Sequence, residues 1–250
     1  MITPLYVQDD RFDLVGDGPL GVVCVHGFTA TPAVMRFLGD ELAGAGFGAI
    51  GPVLAGHGTT LEEFAATPWE AWVSTVDRAI DRAQARYERV AVVGHSLGGL
   101  LALHAATRRP LAAVAALAAP LWLDGLSGAV GRVAGRLRLL PPLPKLGGID
   151  VRDPAMKSLP GYDQIPLGAL AQLVAFMDVV RAKLEDVRAP LLVLHGRQDH
   201  TAPVACAFEI AQRARAHRLR ILPESFHVLP ADVERDIVAA EVIAFLQERT

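Results

Sequence analysis

Six short apolar segments constrain the fold of this 250-residue chain more strongly than any other feature. Most of them show no polar alternation, and a strand that is apolar on both faces is usually buried on both faces, as in a parallel sheet. We therefore predict a mostly parallel sheet, and a chain of this length with 52% hydrophobic residues can bury it in a large core. The predicted strands are Gly21–Val25, Phe47–Ile50, Arg89–Val93, Ala112–Leu117, Leu191–Leu194 and Arg218–Leu222.

Helical patterns separate these segments. Thr31-Pro32 and Thr67-Pro68 each place an N-cap residue before a proline, which is typical of a helix start. Strands that alternate with helices predict an α/β fold with helices on both faces of the sheet. The predicted helices run from Thr31-Pro32 to about Gly46, over Trp69–Tyr87, from Ser96 to about Arg108, from near Ala202-Pro203 onward, and over Asp232–Glu248.

The segment between the fourth and fifth predicted strands is too long for a simple crossover. A crossover needs roughly a dozen residues, usually including a helix, whereas about 70 residues lie here. We predict a core formed by residues 1–120 and 189–250, and a small cap formed by residues 121–188 over the carboxyl ends of the strands. Helical patterns near Asp153–Leu159 and Leu167–Leu184 belong to this cap.

Charge and composition exclude several classes of function. The 24 basic and 27 acidic residues give a net charge of −3, which does not indicate a nucleic-acid partner. Cys24 and Cys206 are too few for a disulfide framework, and no clustered Cys/His spacing predicts a metal site. We expect no signal peptide at the start of the chain, no transmembrane segment and a cytoplasmic location.

The segment Gly94-His95-Ser96-Leu97-Gly98 lies between a predicted strand and a predicted helix. A Gly-x-Ser-x-Gly pattern in this context places the serine on a sharp turn, where its hydroxyl projects from the sheet edge. Close approach of the neighbouring backbone favours glycine two residues before and two residues after the serine. We therefore predict that Ser96 is a nucleophile.

A serine nucleophile needs a general base and a carboxylate that orients it. His227 is the predicted base because it follows the last strand and precedes the final helix, and His200 is its competitor. Asp199, after the strand Leu191–Leu194, is the predicted acid, and Asp124 is the rival. His195 and His217 are interpreted as structural.

The first predicted strand ends in His26-Gly27-Phe28-Thr29. A loop of this kind supplies one backbone N–H group to an oxyanion, and the residue after the nucleophile supplies the second. This reasoning assigns the N–H groups of Phe28 and Leu97, with His26 as a hydrogen-bonding brace for the loop.

Nearly the whole chain resembles the bacterial monoacylglycerol lipases and the closely similar small carboxylesterases, most weakly from about Trp122 to Leu146. The segments that carry the resemblance are His26–Thr29, Gly56-His57-Gly58, Trp69 with Trp72, Gly94–Gly98, Asp199-His200 and Ser225-Phe226-His227-Val228.

The resemblance implies an α/β-hydrolase fold with a small cap, a triad of Ser96, Asp199 and His227, and no cofactor. It implies ester hydrolysis through an acyl-enzyme, acting on monoacylglycerols or on short- or medium-chain esters. The same triad can attack an amide, a thioester or a carbon–carbon bond, and a binding protein of this fold that does not turn over remains a third hypothesis.

One position departs from the pattern of the family. In the bacterial monoacylglycerol lipases a cap glutamate contacts the glycerol head group, and the segment Asp153–Ser158 places Ser158 where that glutamate is expected. Asp163 lies nearby but matches only if the alignment is shifted. Recognition of glycerol is therefore an open question at the level of sequence.

Leucine and valine recur at helical spacing from Val130 to Leu143, among basic residues. This pattern indicates either an amphipathic helix with a solvated basic face or a lid whose apolar side makes transient contact with a lipid interface. The predicted substrate is a small ester or lipid, and the oligomeric state is not predicted. Candidate residues for an acyl pocket are Phe28, Leu121, Leu143, Ile149 and Met156.

Overall fold

A computed structural model describes residues 10–124, 130, 133–134, 141–145 and 147–249. Within this part of the chain, the strands are β1 (Phe12–Leu14), β2 (Leu20–Val25), β3 (Gly48–Gly51), β4 (Arg89–His95), β5 (Ala113–Leu117), β6 (Leu143–Pro144), β7 (Gln164–Ile165), β8 (Leu191–Gly196) and β9 (Arg218–Leu222). Seven of them form one sheet in the order β1-β3-β2-β4-β5-β8-β9. Strand β1 pairs antiparallel with β3, and all other pairs in this sheet are parallel.

Helices cover both faces of the sheet, so the prediction of a mostly parallel α/β sheet is confirmed. The helices are α1 (Arg36–Gly44), α2 (Leu61–Ala66), α3 (Trp69–Gln84), α4 (Leu97–Ala106), α5 (Leu167–Ala182), α6 (Ala205–Arg213) and α7 (Arg235–Gln247). Short 3-10 turns occupy Pro32–Met35, Pro154–Ser158, Leu184–Asp186 and Leu229–Ala231.

The buried core divides into two clusters, one on each face of the sheet. One cluster packs α3, α4, α5 and α6 against the sheet and includes Trp72, Leu100 and Phe176. The other packs α1 and α7 against the opposite face and includes Leu38 and Phe245. Because both faces are covered, the central strands β2, β4, β5 and β8 are almost completely buried, as the absence of polar alternation predicted.

Several predicted element boundaries were wrong, and local hydrogen bonds explain two of them. The helix predicted from Ala202-Pro203 begins at Ala205, because the Asp199 carboxylate accepts the N–H groups of Thr201 and Ala202 and holds them in a turn. The final helix begins at Arg235 rather than Asp232, because the Asp232 carboxylate accepts backbone N–H groups from outside the helix.

The sequence prediction did not include β1, α2 or the short pair β6–β7. Strand β1 is short, lies at the sheet edge and contains a charged residue, Asp13, so it lacks the apolar signal of the buried strands. Helix α2 has only six residues, and the Thr60 side chain caps it by accepting the N–H of Glu63.

The insertion between β5 and β8 contains the antiparallel pair β6–β7 and helix α5. Helix α5 packs against α2, α3 and α4, so this part of the insertion is joined to the core. The predicted amphipathic segment from Val130 to Leu143 lies mostly outside the described residues. None of the described helices combines the length and apolar character that a membrane crossing would need.

Candidate active site

Ser96 occupies the turn between β4 and α4, with a backbone φ of 55° and ψ of −116°. This conformation with a positive φ is rare for a residue with a side chain and is held by the close packing around it. A Cβ atom at Gly94 would overlap the carbonyl of Gly98, and one at Gly98 would overlap the carbonyl of Val25. The two glycines are therefore required by the close packing of this turn.

His227 lies in the loop between β9 and α7 and reaches both Ser96 and Asp199. Its Nε2 atom is 2.9 Å from Ser96 Oγ, and its Nδ1 atom is 2.8 Å from Asp199 Oδ2. Since an ionised carboxylate only accepts, Nδ1 carries the proton and Nε2 accepts the hydroxyl hydrogen of Ser96. The structure thus brings together the three side chains that the sequence analysis singled out.

The side chain of Asp199 is fully buried and receives donors on both oxygens. Thr201 and Ala202 donate their backbone N–H groups to Oδ1, and the rings of His227 and His195 lie 2.8 and 3.2 Å from Oδ2. Burial alone would raise the pKa of this carboxyl, but the two histidines outweigh it and hold the pKa of Asp199 below its ordinary value. Asp199 is therefore ionised at neutral pH.

His195 supports this carboxylate, a role that its interpretation as merely structural did not specify. Its ring is fully buried, and Nε2 lies 3.0 Å from the carbonyl oxygen of Ala202 as well as 3.2 Å from Asp199 Oδ2. Because a carbonyl oxygen only accepts, Nε2 carries the proton and also faces the carboxylate. The only available signal in the sequence was the i, i+4 spacing of His195 and Asp199 at the end of a strand.

The loop after β2 passes close to Ser96. A Cβ atom at Gly27 would lie 3.2 Å from Ser96 Cβ, and Thr29 has a positive φ of 59°. Phe28 lies between Gly27 and Thr29 in the chain, and its ring packs against those of His57, Phe64 and Trp72. Leu97 is the first residue of α4, where a backbone N–H has no acceptor within the helix. The N–H groups predicted to bind an oxyanion thus lie in segments that flank Ser96.

His26 braces this loop. Its Nδ1–H donates to the carbonyl of Gly27 at 2.9 Å, and its Nε2 accepts the N–H of Leu54 at 3.1 Å. Burial lowers the pKa of His26 to about 4, so the ring is neutral and can make both bonds. The brace joins the loop after β2 to the loop after β3.

The competing residues lie elsewhere. The His200 side chain is 64% exposed and bonds to Asp150, and Asp124 is exposed and accepts a hydrogen bond from the indole of Trp122. Neither forms a described hydrogen bond with Ser96 or His227. The described residues contain no group of three His, Cys, Asp or Glu side chains suited to a metal ion.

The structure does not bring the acyl-pocket candidates together in one cluster. Leu121 and Leu143 pack in the core cluster that contains Leu97 and Phe28. Ile149 and Met156 pack in the cluster on the other face of the sheet, and Met156 Sδ lies 4.0 Å from the guanidinium of Arg235. A pocket formed by all of these residues stays a prediction, and only the first pair packs with the loop at Phe28.

The two candidates for head-group recognition are both exposed. Ser158 ends the 3-10 turn Pro154–Ser158, where its hydroxyl lies 3.5 Å from the carbonyl of Ala155. Asp163 precedes β7, and its backbone carbonyl accepts the N–H of Lys145. No described hydrogen bond joins either side chain to the residues around Ser96.

Comparison with known proteins gives a consistent set of similarities. The model of the family described as "Serine aminopeptidase, S33" matches residues 20–234. The chain is 32% identical over 237 residues to a thermostable monoacylglycerol lipase of Bacillus sp. (strain H-257), covering 92% of this chain and 91% of that protein. It is 27% identical to a carboxylesterase of Bacillus subtilis (strain 168), covering 92% and 94% of the two chains.

Solved structures show the same architecture. One from the work on LipS and LipT, two metagenome-derived lipolytic enzymes, has a TM-score of 0.89 and 27% identity, covering 98% of this chain and 99% of that one. The monoacylglycerol lipase of Paleococcus ferrophilus has a TM-score of 0.81 and covers 96% and 98% of the two chains. At 22% identity the second likeness is evidence for the fold alone.

Proposed function

This chain belongs to the serine aminopeptidase S33 family of α/β-hydrolases, and we propose that it is a carboxylic-ester hydrolase that works through an acyl-enzyme. The observation that carries the proposal is the continuous chain of hydrogen bonds from Ser96 through His227 to Asp199. The similarity to a monoacylglycerol lipase and to a carboxylesterase supports an ester as the bond attacked.

In the first half-reaction, His227 Nε2 removes the hydroxyl proton as Ser96 Oγ attacks the ester carbonyl carbon. The carbonyl oxygen becomes an oxyanion, which the backbone N–H groups of Phe28 and Leu97 stabilise, each by about 3 kcal/mol in the transition state. Asp199 stabilises the imidazolium that forms on His227 and stays ionised itself. His227 then donates its proton to the departing alcohol, and an ester of Ser96 with the acyl group remains.

In the second half-reaction, water replaces the alcohol. His227 takes a proton from the water molecule as the water oxygen attacks the acyl carbon, and the same two N–H groups stabilise the second oxyanion. Collapse of this intermediate returns the proton from His227 to Ser96 Oγ and releases the carboxylic acid. The scheme uses only side chains and N–H groups of this chain, the ester and one water molecule.

The substrates that we propose are monoacylglycerols and short- or medium-chain esters. The similarity to the Bacillus monoacylglycerol lipase supports this class, and the apolar residues around Phe28 suit an acyl chain. Ser158 in place of the expected glutamate argues against the same glycerol contact. We therefore expect simple alkyl esters to be hydrolysed at rates comparable to those of monoacylglycerols with the same acyl chain.

Replacement of Ser96 by alanine tests the proposal most directly. We expect Ser96→Ala to abolish turnover of p-nitrophenyl esters, to leave the fold intact by circular dichroism, and to prevent labelling by a fluorophosphonate. The wild-type protein should be labelled and should release p-nitrophenol in a burst.

Further substrates separate the possible reactions of the same triad. A panel of monoacylglycerols, alkyl esters, thioesters and aminoacyl anilides should show the highest kcat/KM for oxygen esters. Retained turnover by Ser96→Ala would contradict the nucleophile, preferred cleavage of anilides would contradict the ester assignment, and labelling without turnover would indicate a binding protein.

A further inference from the structure

The insertion between β5 and β8 returns to the catalytic loops at Asp150. The carboxylate of Asp150 accepts three hydrogen bonds from the loop that carries Asp199. Oδ2 is 3.0 Å from the backbone nitrogen of His200 and 3.0 Å from Thr201 Oγ, and Oδ1 is 2.9 Å from His200 Nδ1. An element outside the core therefore holds the two residues that directly follow the predicted acid.

The main chain of Asp150 contacts the other loop. Its carbonyl oxygen accepts the N–H of His227 at 3.1 Å and the N–H of Val228 at 3.2 Å. One residue thus joins the loop of the acid by its side chain and the loop of the base by its backbone.

Hydrogen bonds to Asp232 also hold the segment that contains Asp150. The carboxylate of Asp232 is buried, and its Oδ1 accepts the N–H groups of Arg152 and Asp153 at 2.8 and 3.0 Å. Its Oδ2 accepts the N–H of Phe226, next to His227, at 2.7 Å. In addition, the Arg152 guanidinium forms an ion pair with the Glu224 carboxylate, in the loop that carries His227.

We propose that Asp150 is a positioning residue, which sets the distance between Asp199 and His227 by bonding to both of their loops. The inference rests on the proposed function, because it assigns Asp150 a part in the same reaction. Asp199 and His227 follow different strands, β8 and β9, and the pairing of these strands ends at Gly196 and Leu222, before either side chain. Contacts beyond the sheet must therefore define how the two loops meet.

The chemistry of the carboxylate suits this task. Three donors from His200 and Thr201 point at Asp150, and an ionised carboxylate accepts all of them without presenting a hydrogen. Asparagine keeps one acceptor oxygen, and its NH2 group faces either the donors on Thr201 and the His200 backbone or His200 Nδ1, which accepts only in the other tautomer of the ring. Catalytic groups must be held within about 0.5 Å of their productive geometry, and a displacement of about 1 Å can lower the rate about 100-fold.

The test compares Asp150→Asn with Asp153→Asn. Asp153 lies in the same segment, but within the described part of the chain the one hydrogen bond of its carboxylate is from the N–H of Ala155, which asparagine also accepts. We expect Asp150→Asn to lower kcat for a p-nitrophenyl ester about 10-fold to 100-fold, to change KM less than about 2-fold, and to slow fluorophosphonate labelling of Ser96 by the same factor as kcat. Asp153→Asn should leave all three values near those of the wild type.

A double-mutant cycle with Asp199→Asn separates positioning from a general loss of structure. If Asp150 acts through the pairing of Asp199 with His227, Asp150→Asn should cost less than about 2-fold in kcat when Asp199 is already asparagine. Equal losses in both backgrounds, or a normal kcat per labelled Ser96 in Asp150→Asn, would overturn the proposal. The proposed function fails on a different result, namely turnover by Ser96→Ala, so the two failures are distinguishable.

Discussion

At the scale of single residues, Asp199 shows how contacts define a chemical role. Four donors surround its carboxylate, and two of them are histidine rings whose protonated nitrogens face Oδ2. Its neighbour His200 has the same sequence context but is exposed and contacts the insertion. The Asp199 side chain is buried whereas the His200 side chain is mostly exposed, and sequence spacing does not contain that information.

The acid is tested by exchanging each candidate carboxylate for an amide. Asp199→Asn leaves the volume unchanged but can present an NH2 group to His227 Nδ1, which favours the wrong tautomer, and we expect kcat to fall by about 10³- to 10⁴-fold. Asp124→Asn makes the same change at the rival position and should leave kcat within about 2-fold of the wild type. A large loss in Asp124→Asn alone would reverse the assignment. Steady-state kinetics with one ester is sufficient.

At the scale of elements, the turn from β4 to α4 combines strain with close packing. Ser96 has a positive φ, and Thr29 and Ala118 also have positive φ values after β2 and β5. These residues all lie at the carboxyl ends of neighbouring parallel strands. The turn places Ser96 Oγ 2.9 Å from His227 Nε2, and packing in the surrounding core offsets the cost of the strained backbone.

Gly98→Ala tests this packing. The added Cβ atom would overlap the carbonyl of Val25, so we expect a loss of about 1–3 kcal/mol in the free energy of unfolding, together with reduced activity. Gly44→Ala is the matched control, because a Cβ atom there meets nothing within 4 Å at the end of α1 and should stabilise by about 0.5–1 kcal/mol. Urea unfolding of both variants gives the comparison, and equal stability of the two would contradict the argument.

At the scale of the whole molecule, burial of histidines governs the response to acid. Burial lowers the pKa of His26 to about 4 and that of His95 to about 3. Burial also lowers the pKa of His104 to about 4, with help from the charges of Arg108 and Lys183. In the unfolded chain each ring titrates near its ordinary pKa of 6.5, so below that pH the unfolded state binds more protons than the folded state.

The free energy of unfolding should therefore fall as the pH falls from 7.5 to 5, by about 2 kcal/mol for His26 alone. The lowered pKa of Asp199 affects stability only in a more acidic range. Its contribution to the free energy of unfolding is present above the pKa of about 3.8 in the unfolded chain and is lost only below that pH. His104→Leu removes one buried titrating ring and should make this pH dependence shallower by about one proton. Urea unfolding at pH 7.5, 6 and 5 measures both slopes, and an unchanged slope in the variant would contradict the prediction.

Much of the architecture and the candidate site was predictable from local patterns. Buried parallel strands have continuous apolar runs, and the Gly-x-Ser-x-Gly turn must separate a strand from a helix, so the sheet and Ser96 could be located directly. The edge strand β1 and the helix starts at Ala205 and Arg235 were not predictable in the same way. Strand β1 lies at the edge of the sheet and therefore lacks the continuous apolar run of a buried strand. Before the two helix starts, the carboxylates of Asp199 and Asp232 accept backbone N–H groups and hold the chain in turns that no N-cap pattern indicates.

Residue types at short spacing were enough to predict which strands are buried, the candidate nucleophile Ser96 and the family resemblance. Which carboxylate and which histidine join Ser96 in one chain of hydrogen bonds, Asp199 rather than Asp124 and His227 rather than His200, depends on the tertiary structure. The fold also brings His195 to within 3.2 Å of the Asp199 carboxylate and Asp150 into contact with both loops. Hydrogen bonds act over about 3 Å in space, and no periodicity in the chain records which distant residues come that close.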